Sequence, residues 1–193
     1  MTKMEELENV EVASTQALRQ WFEAHHAQPE SIWLITYKKN VPSKYVSVKQ
    51  VLDEVLCFGW MDGRRMKLDD ERTMQLLSPR KTQHWSKTYK DRVAELEKAG
   101  RMHEAGREAI ARSKENGMWD FLNDVDALIK PDDLIAALKA HPPALENYET
   151  FPDSAKRDIL RWIKVAKKPE TRAKRILKTA TLAAENKRAS GTK

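Results

Sequence analysis

The sequence predicts an α+β fold: a small, mainly antiparallel sheet with flanking helices in the N-terminal half, followed by a helical C-terminal region. Three observations carry this. SIWLITYK, residues 31–38, is a short run of β-branched and aromatic residues of the kind that forms a buried strand. Arg64–Leu68 and Arg72–Leu77 alternate in polarity on either side of the acidic turn Asp69-Asp70-Glu71, as a hairpin does. From about residue 82 onward the apolar residues recur at helical spacing with no strand pattern among them.

The elements follow in order. Residues 1–12 are acidic and weakly patterned and read as a loose arm. Ser14 begins a helix with Leu18, Trp21, Phe22 and His25 on one face. Ser47 and Gln50 have the spacing of a capping box, and Val48, Val51, Leu52, Val55 and Leu56 then form an apolar stripe that stops near Gly59. Met61-Asp62-Gly63 reads as a tight turn. Trp85, Tyr89, Val93 and Leu96 predict a helix up to Gly100, and a second one covers about 103–116. Pro131, Pro142-Pro143 and Pro169 punctuate shorter helices beyond it, carrying Leu134 and Leu138, Leu145 and Tyr148, Ile159 and Ile163, then Ile176 and Ala180. The expected division is an α+β core over 1–122 and a basic helical subdomain over 131–193, packed on or appended to that core.

Composition narrows the function classes. The 193 residues contain one cysteine, Cys57, so no intrachain disulfide forms, and the chain reads as a cytoplasmic type. The N-terminus lacks the apolar stretch of a signal peptide, and no apolar run is long enough for membrane insertion. The net charge is +6, unevenly placed: residues 156–193 hold thirteen Lys or Arg against three acids, a net of +10, which leaves the preceding residues at −4. Such a tail suits nucleic acid, anionic lipid or an acidic partner. Its charged stretch holds Lys167, Lys168, Arg172, Lys174, Arg175 and Lys178 as nucleic-acid candidates.

No metal site, cofactor or Gly-rich phosphate loop is predicted. His25 and His26 are adjacent and diverge on a helix, and the other histidines are scattered. Cys57, at a helix C-terminus, reads as a packed core thiol rather than a nucleophile. Asp62 is a candidate acid or base, or a turn-holding carboxylate. The stretch most suggestive of chemistry is SPRKTQHWSKTYK, residues 78–90, where Arg80 and Lys81 leave a strand and a helix begins. A helix starting at Thr82 or Gln83 would present N–H groups beside two cations, an arrangement for a phosphate or carboxylate. Trp60, Asp62, Arg80, Lys81, Trp85 and Ser86 are therefore the candidate ligand site, with Arg64, Arg65 and Arg72 lining its approach. The competing reading makes Trp85 and Tyr89 core residues and Arg80 half of a structural ion pair.

Five stretches resemble the YdeI/OmpD-associated, or bacteriocin-protection, family of bacterial proteins: VLDEVLCFGWMDG (51–63), LLSPRKTQHWSK (76–87), AGRMHEAG (99–106), NGMW (116–119) and WIKVAKKPETRAKRI (162–176). They span most of the chain in order. Met61 stands where the family usually has Ile, and the family's serine near Gln83 or His84 is missing. The resemblance implies a role in tolerance of bacteriocins or envelope stress and brings no reaction, cofactor or catalytic residue. The family's most distinctive positions match Cys57, Gly59, Trp60, Asp62, Gly63, Pro79, Arg80, Trp85 and Ser86, with Thr171, Arg172 and Arg175 in the tail.

The functional expectation is an uncharacterised stress or bacteriocin-tolerance protein that binds a small anionic ligand or a protein partner near Arg80 and Trp85. Two alternatives stand beside it. One is nucleic-acid binding through the basic C-terminal helices. The other is a hydrolase or isomerase using Asp62 as acid or base, with Arg80 stabilising an anion.

Overall fold

The computed structural model describes residues 7–189 and has the α+β architecture expected, in two compact units divided between Asp120 and Phe121. The first unit runs β1 (Glu8–Val12), α1 (Thr15–His25), β2 (Ile32–Tyr37), a 3₁₀ turn (Pro42–Lys44), α2 (Val48–Cys57), β3 (Trp60–Lys67), β4 (Arg72–Pro79), α3 (Lys87–Lys98) and α4 (Glu104–Glu115). Its strands form one sheet in the order β1-β2-β4-β3. β2 pairs antiparallel with β4, and β4 with β3. β1 pairs parallel with β2, Val10 opposite Leu34, so the chain must cross over between them, and α1 is that crossover.

One face of the sheet makes the core. Val10, Ile32, Leu34 and Leu77 lie on it and pack with Leu18 and Phe22 of α1, Val51, Val55 and Leu56 of α2, and Val93 and Leu96 of α3. Trp33 and Ile35 alternate to the other face and are buried as well, which is why this strand reads as a continuous apolar run. The local signals in the sequence act as expected at both early helices. Ser14 Oγ accepts from the Ala17 N–H at 3.1 Å, and the Ser47–Gln50 capping box is closed in both directions. Gly59 ends α2 at φ +70°, and a Cβ there would lie 2.7 Å from the Ala105 carbonyl oxygen, so α4 packs directly on its backbone.

Four expectations are corrected. Residues 8–12 of the acidic arm are strand β1, held because Val10 and Val12 are buried while Glu8, Asn9 and Glu11 stay exposed; residues 1–6 of that arm lie outside the described residues. Met61-Asp62-Gly63 is not a tight turn. It belongs to β3, where the register shifts between Asp62 and Arg65. Trp85 lies before α3, which starts at Lys87, so Thr82 and Gln83 are not in a first helical turn. Val48 is 51% exposed although Val51, Val55 and Leu56 of the same stripe are buried, because it stands at the first residue of α2.

The second unit is helical: α5 (Asn123–Asp126), α6 (Asp132–Lys139), α7 (Ala144–Thr150), α8 (Asp153–Lys164) and α9 (Pro169–Ala184). Its core joins Leu134 and Leu138 to Tyr148, Ile159, Ile163, Ile176 and Ala180. Polar ties fix the helices to one another. Arg172 of α9 bonds Asp133 of α6 with two nitrogens at 2.8 and 2.9 Å, Lys164 of α8 reaches Asp124 of α5 at 2.5 Å, and Asn147 of α7 donates to the Ala183 carbonyl near the end of α9 at 2.8 Å.

Candidate functional site

The residues singled out in 60–86 come from β3, the end of β4 and the loop leading into α3. The turn of the chain at Arg80 is set by the backbone, whose N–H donates to the Gly59 carbonyl at 3.0 Å, while the Trp85 N–H donates to the Met118 carbonyl at 3.1 Å. These bonds carry the Arg80 and Trp85 side chains inward. Trp85 is fully buried and Arg80 is 4% exposed. The guanidinium carbon stands 4.0 Å from the Trp85 ring centroid and 5.8 Å from that of Tyr89.

Arg80 is a buried cation with thin compensation. No carboxylate forms an ion pair with it among the described residues. Its Nη1 donates to the Gln83 and His84 carbonyls at a long 3.4 Å each, and its Nε has no acceptor. The neighbouring Trp85 Nε1 is likewise buried without an acceptor. Burial lowers the Arg80 pKa from its ordinary value, against opposing contributions from Tyr89 and Asp62. A guanidinium still holds its proton at neutral pH, so the charge remains.

Asp62 faces the same cluster through Tyr89. It is half-buried, accepts the Tyr89 hydroxyl and lies 3.5 Å from Gln75 Nε2. Tyr89, in the first turn of α3, thus touches both Asp62 and Arg80. The remaining candidates stand differently. Trp60 is buried and spends its indole N–H on the His26 carbonyl at 2.9 Å. Lys81 is exposed, and Ser86 is the N-cap residue of α3 with no capping bond from its side chain. Arg65 is engaged by Thr73 at 2.8 Å, and Arg72 by Glu11 and Asp69, both at 2.7 Å. These two do not line an approach to Arg80; they hold the sheet.

The basic tail also divides. Lys167, Lys168, Lys174 and Lys178 are exposed. Arg172 is held by Asp133, and Arg175 donates to the Trp162 carbonyl while its guanidinium carbon stands 5.2 Å from the Trp162 ring. Lys178 is 5.6 Å from the same ring. A half-exposed aromatic therefore sits in the basic face, which sequence spacing alone did not reveal. Among the described residues no His, Cys, Asp or Glu group has the arrangement of a metal site, and no helix is long and apolar enough to cross a membrane.

The sequence reading missed a cluster of buried charges. Asp53 and Glu54 on α2 have side chains only 5% and 2% exposed. Arg92 grips Asp53 with two nitrogens at 2.5 Å, Arg101 bridges Asp53 at 3.2 Å and Glu54 at 2.6 Å, and Arg19 reaches Glu54 at 3.1 Å. Burial would raise the Asp53 pKa, but the bonds and charges of Arg92 and Arg101 outweigh it and hold the carboxyl below its usual range. The signal was present: two acids set in VLDEVLC, whose later turns are apolar on every side.

Residues 10–109, within the sheet-bearing unit, match the family model of a domain of unknown function (DUF8412). The chain belongs to that family. Residues 127–186, within the helical unit, match the model described as bacteriocin-protection, YdeI or OmpD-associated, the family that the sequence motifs resemble. No curated protein and no solved structure matches the chain.

Proposed function

We propose that this protein serves bacteriocin tolerance by binding a small oxyanion, a phosphate or carboxylate group, at Arg80 and Trp85. The tolerance part of this reading rests on the family matched by residues 127–186. The ligand part rests on one observation: Arg80 is a buried cation without an ion-pair partner among the described residues, and its Nε and the adjacent Trp85 Nε1 are donors without acceptors. A thinly compensated charge and two orphan donors in one place are costly, and an anion accepting from both reduces that cost. A guanidinium backed by an aromatic face suits a planar or tetrahedral oxyanion.

The test is a titration of the ¹⁵N-labelled protein with inorganic phosphate and with acetate, following the tryptophan indole N–H signals. The Trp85 signal, assigned by its loss in Trp85→Phe, shifts saturably with one of the anions. Arg80→Gln abolishes that shift and, in a bacteriocin challenge, leaves cells as sensitive as those lacking the protein. Trp85→Phe keeps the charge and tests the second donor separately; followed through the Arg80 Nε–H signal, it weakens binding by roughly tenfold, the worth of one hydrogen bond to a charged group. A Trp85 signal indifferent to both anions rejects the reading.

A further inference from the structure

The helical unit carries a basic strip where α8 gives way to α9. Lys167 to Lys178 hold six cations against one acid, Glu170. Two of the six are spent inside the unit, Arg172 on Asp133 and Arg175 on the Trp162 carbonyl. The other four, Lys167, Lys168, Lys174 and Lys178, are exposed and form no ion pair among the described residues. Lys174 and Lys178 stand one turn apart on α9, about 6 Å along its axis. Beside them Trp162 of α8 is only partly buried, with the Arg175 guanidinium carbon 5.2 Å and the Lys178 ammonium 5.6 Å from its ring centroid. Arg175 is fixed by its bond to the Trp162 carbonyl, whereas Lys178 is open to solvent and free to leave the ring.

We infer that this strip binds single-stranded nucleic acid, the four lysines meeting phosphates and Trp162 stacking on an unpaired base as Lys178 turns to the backbone. Two features separate this partner from the others that a basic surface attracts. An aromatic ring set among cations engages both parts of a nucleotide, base and phosphate, whereas an acidic peptide would leave the ring unused. A lipid surface needs a broad apolar face, and α9 spends Ile176, Ala180 and Ala183 on the core of its own unit, which leaves Leu177 as its one large apolar residue in solvent. Stacking also requires a base face that a duplex keeps covered, so the strand is single. Phosphate contact and stacking are both indifferent to base identity, so recognition is general rather than sequence-specific.

A fluorescein-labelled oligothymidylate, followed by anisotropy as the full chain is added, is the probe. It binds saturably at low salt, and log Kobs falls against log salt with a slope of about −3, the value for four phosphates neutralised on a single strand. Lys174→Gln combined with Lys178→Gln, both at exposed positions, makes that slope shallower by about 1.4. Trp162→Leu keeps an apolar side chain on the core and weakens binding roughly tenfold, the loss of one stacked base, while Trp162→Tyr restores most of it. Arg80→Gln binds the strand as the parent does, and the phosphate response of Trp85 survives in the double lysine variant, so this surface and the Arg80 site fail separately. No saturable binding at low salt, an unchanged slope in the double variant, a Trp162→Leu protein that binds normally, or a duplex bound as tightly as the single strand each overturns the assignment. Stronger binding to vesicles of anionic phospholipid than to the strand overturns it as well and marks a membrane contact.

Discussion

Gly106 lies flat against Cys57: a Cβ built on Gly106 would stand 2.2 Å from the Cys57 carbonyl oxygen. That oxygen also accepts the His103 N–H at 3.1 Å, so it cannot swing aside without breaking the entry to α4. Glycine is required here for closeness, not for an unusual dihedral. Gly106→Ala must push α2 and α4 apart and should destabilise the sheet-bearing unit by about 1–3 kcal/mol, the usual range for overpacking. A thermal melt followed by near-ultraviolet circular dichroism measures it. An unchanged melt would mean that the two helices yield freely at this contact.

The Asp53–Glu54 cluster predicts an asymmetric response to mutation. Removing one carboxylate leaves buried guanidinium groups short of a partner, and breaking a buried pair costs about 3–5 kcal/mol. Because Arg101 and Arg19 are 37% and 33% exposed and recover some solvent, the loss for Glu54→Gln should fall at or below the bottom of that range. Asp53→Asn, facing the more buried Arg92, should cost more. The pH dependence follows from the lowered Asp53 pKa. Its contribution is complete above the unfolded value near 3.8 and is lost as pH falls through the lower folded value. Urea unfolding at acid pH should therefore show a steep loss of stability that Asp53→Asn lacks.

His103 adds a second acid-sensitive element at higher pH. Burial lowers its pKa below 6.5, helped by the charges of His26 and Arg19. Its Nδ1 accepts the Ala105 N–H at 3.2 Å as the N-cap of α4, so protonation at that nitrogen also removes the cap. The sign is fixed: the unfolded chain takes up the proton first, so stability is complete above pH 6.5 and declines below it. His103→Asn keeps a capping acceptor without the titration. Its unfolding free energy should be level between pH 7 and pH 5 where the parent's declines; parallel curves for the two would exclude His103 as the cause.

What the sequence disclosed and what it hid divide along a physical line. Signals contained within a few residues were legible: the Ser47–Gln50 capping box, the apolar run at β2, the stop at Gly59. β1 was not, because five residues with only Val10 and Val12 inward make too short a pattern until β2 lies beside them. Asp53 was not, since its partners Arg92 and Arg101 are 39 and 48 residues away and a charged residue on a helix defaults to the solvent side. The segment around Arg80 was legible as unusual. Its burial was not, because the groups that turn Arg80 and Trp85 inward are the backbone carbonyls of Gly59 and Met118, which carry no residue-type signature.

Cys57 gives the most direct chemical test of the helix packing. The thiol is fully buried near the C-terminal end of α2, beneath Gly106. Burial pushes its pKa up to about 11, the Glu54 charge adds to this, and Arg101 and Arg19 offset only part of it. Since the thiolate is the nucleophile, the reactive fraction at neutral pH is smaller by some two orders of magnitude than for a free cysteine with a pKa near 8.5. Exclusion of the reagent slows alkylation further. Iodoacetamide at pH 7.5 should therefore leave the native protein unmodified on a timescale that fully labels the chain in urea, as read by intact mass. Gly106→Ala, which wedges α2 from α4, should label faster than the parent under native conditions. Rapid labelling of the native parent would contradict both the burial of Cys57 and its assignment as a core thiol without a catalytic role.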